Sequence, residues 1–255
     1  EIASCLVGSE MCIRDRDMQM FIDGWYEKLP DYEFMLWDFN RFDIHSSQWV
    51  KEAFSKKKYA FAADYIRLYA LYNYGGIYMD MDVEVLKSFD PFLKLKTMIC
   101  FENSKQGLEM ATFGVEKGAA WVKECLKYYE NRPFIKADGM LDTVTLPFII
   151  QQICLKDSYH LEHAYSIEEA LQKEMGSTLA VLSSDFFSPK TTFRDEKIVL
   201  TSNTVSIHHF KGTWLPWYSK IEKRVSNALG FESKDFIRAA IYKIQLEIAK
   251  RKIKK

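Results

Sequence analysis

Apolar and polar positions follow two rhythms along this chain, and the greasiest run is the most informative. Between Ala60 and Tyr74 almost every residue is apolar or aromatic. Phe61, Tyr65, Leu68 and Tyr72 fall at i, i+4, i+7 and i+11, which is one helical face. Ala62, Ile66, Tyr69 and Ala70 cover much of the rest, so the pattern predicts a helix buried nearly all round. Gly75-Gly76 ends it, because glycine accepts the left-handed backbone of a helix terminus. Ile77-Tyr78-Met79 then reads as a short buried strand. Val83-Glu84-Val85-Leu86 alternates like another, stopped by Asp90-Pro91.

The same reading extends both ways. Met18, Phe21, Ile22 and Trp25 share one side of a helix over 18–29, broken by Pro30-Asp31. Residues 32–37 predict a strand, and Ser46 or Ser47 caps a helix running to Phe54. Further strands are expected at 98–101, 111–115, 179–182, 198–200 and around Val205 and Ile207. Helices are expected at 121–129, within 141–155 with Pro147 in the first turn, and at 166–172. Alternating strands and helices predict an α/β fold.

Composition narrows the class. With 255 residues, 48% of them hydrophobic and 15% aromatic, the chain can bury a substantial core. No run approaches the roughly 18–20 apolar residues that span a bilayer. The formal net charge is zero and names no partner, nucleic acid included. Residues 220–255 are different, with 11 basic and 4 acidic residues. There Ile237, Ile241, Ile244 and Ile248 form one stripe of a helix. That helix docks on the domain or makes peripheral contact with an anionic membrane. Cys5, Cys12, Cys100, Cys125 and Cys154 lack metal or redox spacing, and such scatter suits a reducing compartment.

The candidate chemistry sits where charge interrupts the apolar run. Asp64 and Arg67, three apart, share a side of the predicted helix. Asp80 and Asp82 follow the predicted strand. Residues two apart point the same way in an extended chain, so both carboxylates can converge on one hard cation if the backbone stays extended. A second cluster is Thr204 to Trp214, TVSIHHFKGTW, with His208-His209 at a strand end. Two carboxylates and one imidazole suit Mn2+, or Mg2+ less well. A cation held this way acts as a Lewis acid. An EF-hand is excluded by Val85 at the position that needs glycine.

The block Ala-Asp-Tyr-Ile-Arg-Leu, then Tyr-Gly-Gly-Ile-Tyr-Met-Asp-Met-Asp-Val-Glu-Val, resembles the DXD region of glycosyltransferase family 32. That family includes capsular-polysaccharide sugar transferases and outer-chain-initiating mannosyltransferases. The likeness extends more weakly from about Trp25 to Trp214. It implies a GT-A-type Rossmann-like mixed sheet flanked by helices, with a C-terminal helical appendage. It also implies a nucleotide-sugar donor, UDP- or GDP-linked, and a saccharide or lipid-linked saccharide acceptor in surface or capsular polysaccharide synthesis. Transfer would be retaining, without a dedicated protein nucleophile.

The resemblance gives each residue a role. Asp82 is the direct metal ligand, and Asp80 contacts the ribose, the metal or its waters. Arg67 assists at the donor phosphate or sugar, Asp64 accepts from sugar hydroxyls, and Tyr78 and Trp214 are further donor contacts. His209-Phe210-Lys211-Gly212 resembles the family's C-terminal metal motif. Register with Gly212 favours His209 as ligand, with His208 second. Where the family often carries an Asn before the strand at 111–115, this chain has Glu109-Met110 nearby. Residues 1–16, EIASCLVGSEMCIRDR, resemble translated adapter sequence and are expected to stand outside the fold. The family's first strand is then missing.

The expected organisation is a leader over 1–16, a transferase domain over 17–218 and basic helices over 219–255. The expected location is the cytoplasm, with peripheral contact at the inner face of the membrane. Two alternatives stand beside the transferase. One is a non-catalytic nucleotide-sugar or carbohydrate binder. The other is a haloacid-dehalogenase-type phosphotransferase with Asp80 as nucleophile.

Overall fold

A computed structural model of the chain describes residues 5–9, 16–38, 40–102, 107–156, 159–190 and 198–210. All of them fall in one compact unit, Glu1–Lys211. The second unit, Gly212–Lys255, lies outside the described residues, and with it Trp214 and the basic helices expected over 219–255.

The central sheet has five strands. β1 (Cys5–Ser9) runs parallel to β2 (Glu33–Trp37) on one side and to β3 (Gly76–Met79) on the other. β3 pairs antiparallel with β6 (Thr112–Val115), which pairs antiparallel with β5 (Thr97–Met98). The spatial order is β2-β1-β3-β6-β5, a mixed sheet of the expected α/β kind. Two small sheets complete it: β4 (Val83–Val85) antiparallel to β9 (Ser206–His208), and β7 (His160–Ala164) parallel to β8 (Thr178–Leu182). The helices are α1 (Arg16–Lys28), α2 (Gln48–Ser55), α3 (Tyr59–Tyr74), α4 (Ala120–Tyr129), α5 (Leu146–Lys156) and α6 (Ile167–Lys173).

The sequence predicts a segment outside the fold at 1–16, but the structure places Cys5–Ser9 in the middle of the sheet. Strand pairing needs only extended backbone groups, so composition gave no reason against it. The expected strand at 198–200 does not form, and Val199 and Leu200 are exposed there. The strand expected over 98–101 is shorter. Beyond Met98 only single bridges continue it, Cys100 with Leu182 and Phe101 with Leu108.

Local chemistry sets the element ends. The Ser47 hydroxyl accepts the Val50 N–H at the start of α2, and Ser166 does the same for Glu169 in α6. α3 ends at Gly75, whose φ of 73° and ψ of −166° lie in a region essentially reserved for glycine. A Cβ there would also stand 2.8 Å from the Lys117 backbone nitrogen. The sheet separates two apolar clusters through the period-two alternation of its strands. Tyr78 and Phe113 face α3, α4 and α5, whereas Ile77, Met79 and Met98 face Phe89, Phe92, Phe186 and Phe187. Cys100, Cys125 and Cys154 are buried free thiols.

Candidate functional site

The site forms where β3 ends beside α3 and β9. The alternation that buries Tyr78 on the α3 side carries the next even residue, Asp80, the same way. The Tyr78 hydroxyl donates to Asp80 Oδ1 at 2.5 Å. From α3, the Arg67 Nη2 lies 3.5 Å from both Asp64 Oδ1 and Asp80 Oδ1. Its Nη1 donates to the Met110 carbonyl at 2.7 Å, and its guanidinium lies 4.5 Å from the centre of the Tyr78 ring. Arg67 is only 7% exposed, so these contacts stand where water would otherwise be.

Asp80 and Asp82 do converge, but not through extended backbone. The Val83 N–H donates to the Asp80 carbonyl at 3.0 Å, a four-residue turn that carries Asp82 back toward Asp80. Met81, between them in sequence, is buried. Beyond the turn, β4 pairs with β9 in the register Val83 with His208. That register delivers His208 to the aspartates. One ligand atom each from Asp80, Asp82 and His208 lie within 4.8 Å of one another. His208 Nε2 is 3.6 Å from Asp82 Oδ1, a spacing two ligands can keep while each binds a shared ion at about 2.1 Å. Two oxygens and an imidazole form a donor set suited to a divalent ion of the manganese type.

The preference for His209 is therefore corrected. Neighbouring residues on a strand point to opposite faces, and pairing with Val83, not distance from Gly212, decides which imidazole faces the aspartates. His209 turns away, bonds Glu84 Oε2 through Nε2 at 2.8 Å and stacks on Phe21 at 4.7 Å.

The electrostatics follow from burial and close opposite charges. Burial pushes the Asp64 carboxyl up to about 6, against the pull of Arg67. Asp64 also accepts the backbone N–H of Leu146 at the start of α5. Burial raises Asp80 as well, with Arg67 opposing and Asp82 reinforcing the rise. Burial alone would lower His208, but the Glu109 carboxylate beside it, with Asp82 and Asp80, carries it up to about 9. Glu109 moves the other way: burial would raise it, and His208 holds it below the usual carboxylate range. A protonated imidazole here offsets part of the acidic charge.

The structure thus brings together Asp64, Arg67, Tyr78, Asp80, Asp82 and His208, and sets His209 on another face. Trp214 lies outside the described residues. Sequence reasoning missed Glu109 as a partner of the site. It is 2% exposed, 99 positions from His208 in the chain, and accepts from it at 3.1 Å. The only signal was a carboxylate near the place where the resemblance leads one to expect an amide.

Part of the chain is similar to known proteins. Residues 15–99 match the family model described as "Glycosyltransferase sugar-binding region containing DXD motif". Over residues 15–99 the chain is thus similar to the DXD-containing sugar-binding region of glycosyltransferases. It is 29% identical over 102 residues to inositol phosphoceramide mannosyltransferase 3 of Schizosaccharomyces pombe, covering 38% of this chain and 28% of that protein. A mannosyl phosphorylinositol ceramide synthase of Saccharomyces cerevisiae is 31% identical over 113 residues, 42% of this chain and 30% of that one. The chain therefore spans under a third of the length of these two relatives. Among solved structures, PaToxG glycosyltransferase superposes at TM-score 0.45 with 18% identity, over 61% of this chain and 70% of that one. A glycosyltransferase involved in glycosylation of the major capsid of PBCV-1 gives 0.46 with 9% identity, over 82% and 94%. No helix among the described residues is long and apolar enough to cross a membrane.

Proposed function

We propose that this protein is a metal-dependent glycosyltransferase that moves a sugar from a UDP- or GDP-linked donor to a saccharide or lipid-linked saccharide acceptor. The observation that carries the reading is the meeting of Asp80, Asp82 and His208 beside a buried, carboxylate-paired Arg67. Asp80, Asp82 and His208 hold a divalent cation, Mn2+ before Mg2+. The bound cation supplies charge neutralisation to the diphosphate leaving group.

The remaining residues bind and orient the donor. Arg67, fixed by the Met110 carbonyl and by Asp80, presents its planar guanidinium to the donor's phosphate or sugar oxygens. Asp64, anchored at the first turn of α5, accepts from sugar hydroxyls. The Tyr78 hydroxyl fixes the Asp80 carboxylate, so the turn does not spend donor binding energy on ordering itself. The two yeast relatives are named for transferring mannose, which makes mannose the first donor sugar to test. Retention of configuration follows the family resemblance. The setting we assign is surface-polysaccharide assembly in the cytoplasm, with membrane contact through the basic helices over 219–255.

The experiment is a panel of UDP- and GDP-sugars with Mn2+, scored for slow donor hydrolysis, with Asp82→Ala as control. The expected outcome is turnover with one donor, falling by more than about 100-fold in the variant, beyond what loss of an outer-shell partner costs. Unchanged turnover in Asp82→Ala removes the metal role. Donor binding with no hydrolysis favours a non-catalytic sugar-nucleotide binder. Phosphate release from generic phosphoesters favours a phosphotransferase with Asp80 as nucleophile.

A further inference from the structure

Three features of the cation site trace to one short segment, Glu109-Met110-Ala111. The Met110 carbonyl takes the Arg67 Nη1 donor at 2.7 Å. The Ala111 carbonyl takes the Asp80 backbone N–H at 2.8 Å. The Glu109 Oε2 bonds His208 Nδ1 at 3.1 Å. The segment is itself braced, because Glu109 Oε1 accepts the Ala111 N–H at 2.7 Å and the Glu109 N–H donates to the Cys100 carbonyl at 2.9 Å. Both carboxylate oxygens are thus engaged. Glu109 is 2% exposed, and an ionised carboxylate is not buried cheaply without such partners.

We propose that Glu109 is the positioning residue of the cation site, acting through His208. An ionised carboxylate only accepts, so the His208 Nδ1 must carry the hydrogen. That leaves Nε2, the nitrogen that already faces Asp82 at 3.6 Å, as the one that binds the ion. By bracing Ala111, the same carboxylate holds the carbonyl that fixes Asp80. Glu109 touches neither donor nor cation. It sets the orientation of one ligand directly and of a second through the backbone. The proposal rests on the reading of Asp80, Asp82 and His208 as a metal site.

The test is a double-mutant cycle on the full chain, reading Mn2+ affinity by calorimetry. The four proteins are the unmodified chain, Glu109→Gln, His208→Ala and the double variant. Glutamine keeps one acceptor oxygen where two are in use, and it loses the charge, so the fold is retained while orientation is not. Glu109→Gln is expected to weaken Mn2+ binding by about 10- to 100-fold. Within the His208→Ala background the same change is expected to cost less than about twofold, because the glutamine oxygen still accepts the Ala111 N–H that braces the Asp80 side and the imidazole that the charge orients is gone. Equal losses in both backgrounds, or no loss in either, overturn the proposal. A merely structural role would give equal losses. Absence of Mn2+ binding by the unmodified chain would instead remove the metal reading, and this proposal with it.

Discussion

The two faces of β3 and the step beyond it divide chemistry from packing. Even residues, Tyr78, Asp80 and Asp82, carry the polar network: a hydroxyl bonded to a carboxylate, a guanidinium shared by two more contacts, and an imidazole across the turn. Odd residues, Ile77, Met79 and Met81, are buried apolar side chains, and Ile77 and Met79 pack into the cluster of Phe89, Phe92 and Phe187. A period of two lets β3 anchor the sheet with Ile77 and Met79 and send Tyr78 and Asp80 to the site, and the turn after Asp80 adds Asp82. Charges are tolerated on the even face because each has a partner at a few ångströms. The odd face holds no charge at all.

That contrast is broken most forcefully by exchanging the two kinds of loss. Arg67→Met removes the cation from a buried network and leaves Asp64 and Asp80 facing each other. It should lower unfolding stability by about 3–5 kcal/mol and abolish donor hydrolysis. Met79→Ala should cost a comparable amount, about 2–5 kcal/mol, through the cavity it leaves. Its folded fraction should keep hydrolysis and Mn2+ affinity within about twofold. Denaturant unfolding beside calorimetric titration checks both. A large loss of Mn2+ affinity in folded Met79→Ala would break the division of labour.

A gentler probe is pH. Against the pull of burial, Glu109, Asp82 and Asp80 carry His208 up to about 9 from its ordinary 6.5, so its contribution to stability is complete below about 6.5 and fades as pH rises through 9. Metal binding runs the opposite way, since an ion at Nε2 must displace the proton there. Apparent Mn2+ affinity should rise by about tenfold per pH unit from 7 toward 9 and level off above it. His208→Ala should flatten that rise. A flat profile in the unmodified chain would mean that the imidazole is not displaced by the ion.

Much of this was legible because burial and backbone geometry leave local marks. The apolar run of α3, the Gly75 stop and the charges within the run identified the helix, its end and the even-face residues. What failed was whatever depends on pairing between distant segments. A turn, rather than extended backbone, brings Asp82 to Asp80, and a hydrogen bond from Val83 makes it. The choice between His208 and His209 is set by a register with Val83, over a hundred positions earlier. β7, His-Leu-Glu-His-Ala, has mostly exposed side chains and no apolar rhythm to betray it, and only its parallel pairing with β8 defines it. Val199 and Leu200 show the converse, apolar residues that pair with no strand among the described residues and stay exposed. Glu109 was visible only as an odd residue in a familiar place, because its meaning lies in a contact across the fold.

The most direct test is pulsed electron paramagnetic resonance of Mn2+ bound to the full chain, read for coupling to an imidazole nitrogen. The account predicts coupling to a single imidazole, kept in His209→Ala and lost in His208→Ala. Coupling that survives His208→Ala but vanishes in His209→Ala, or Mn2+ bound with no nitrogen coupling in the unmodified chain, would contradict it.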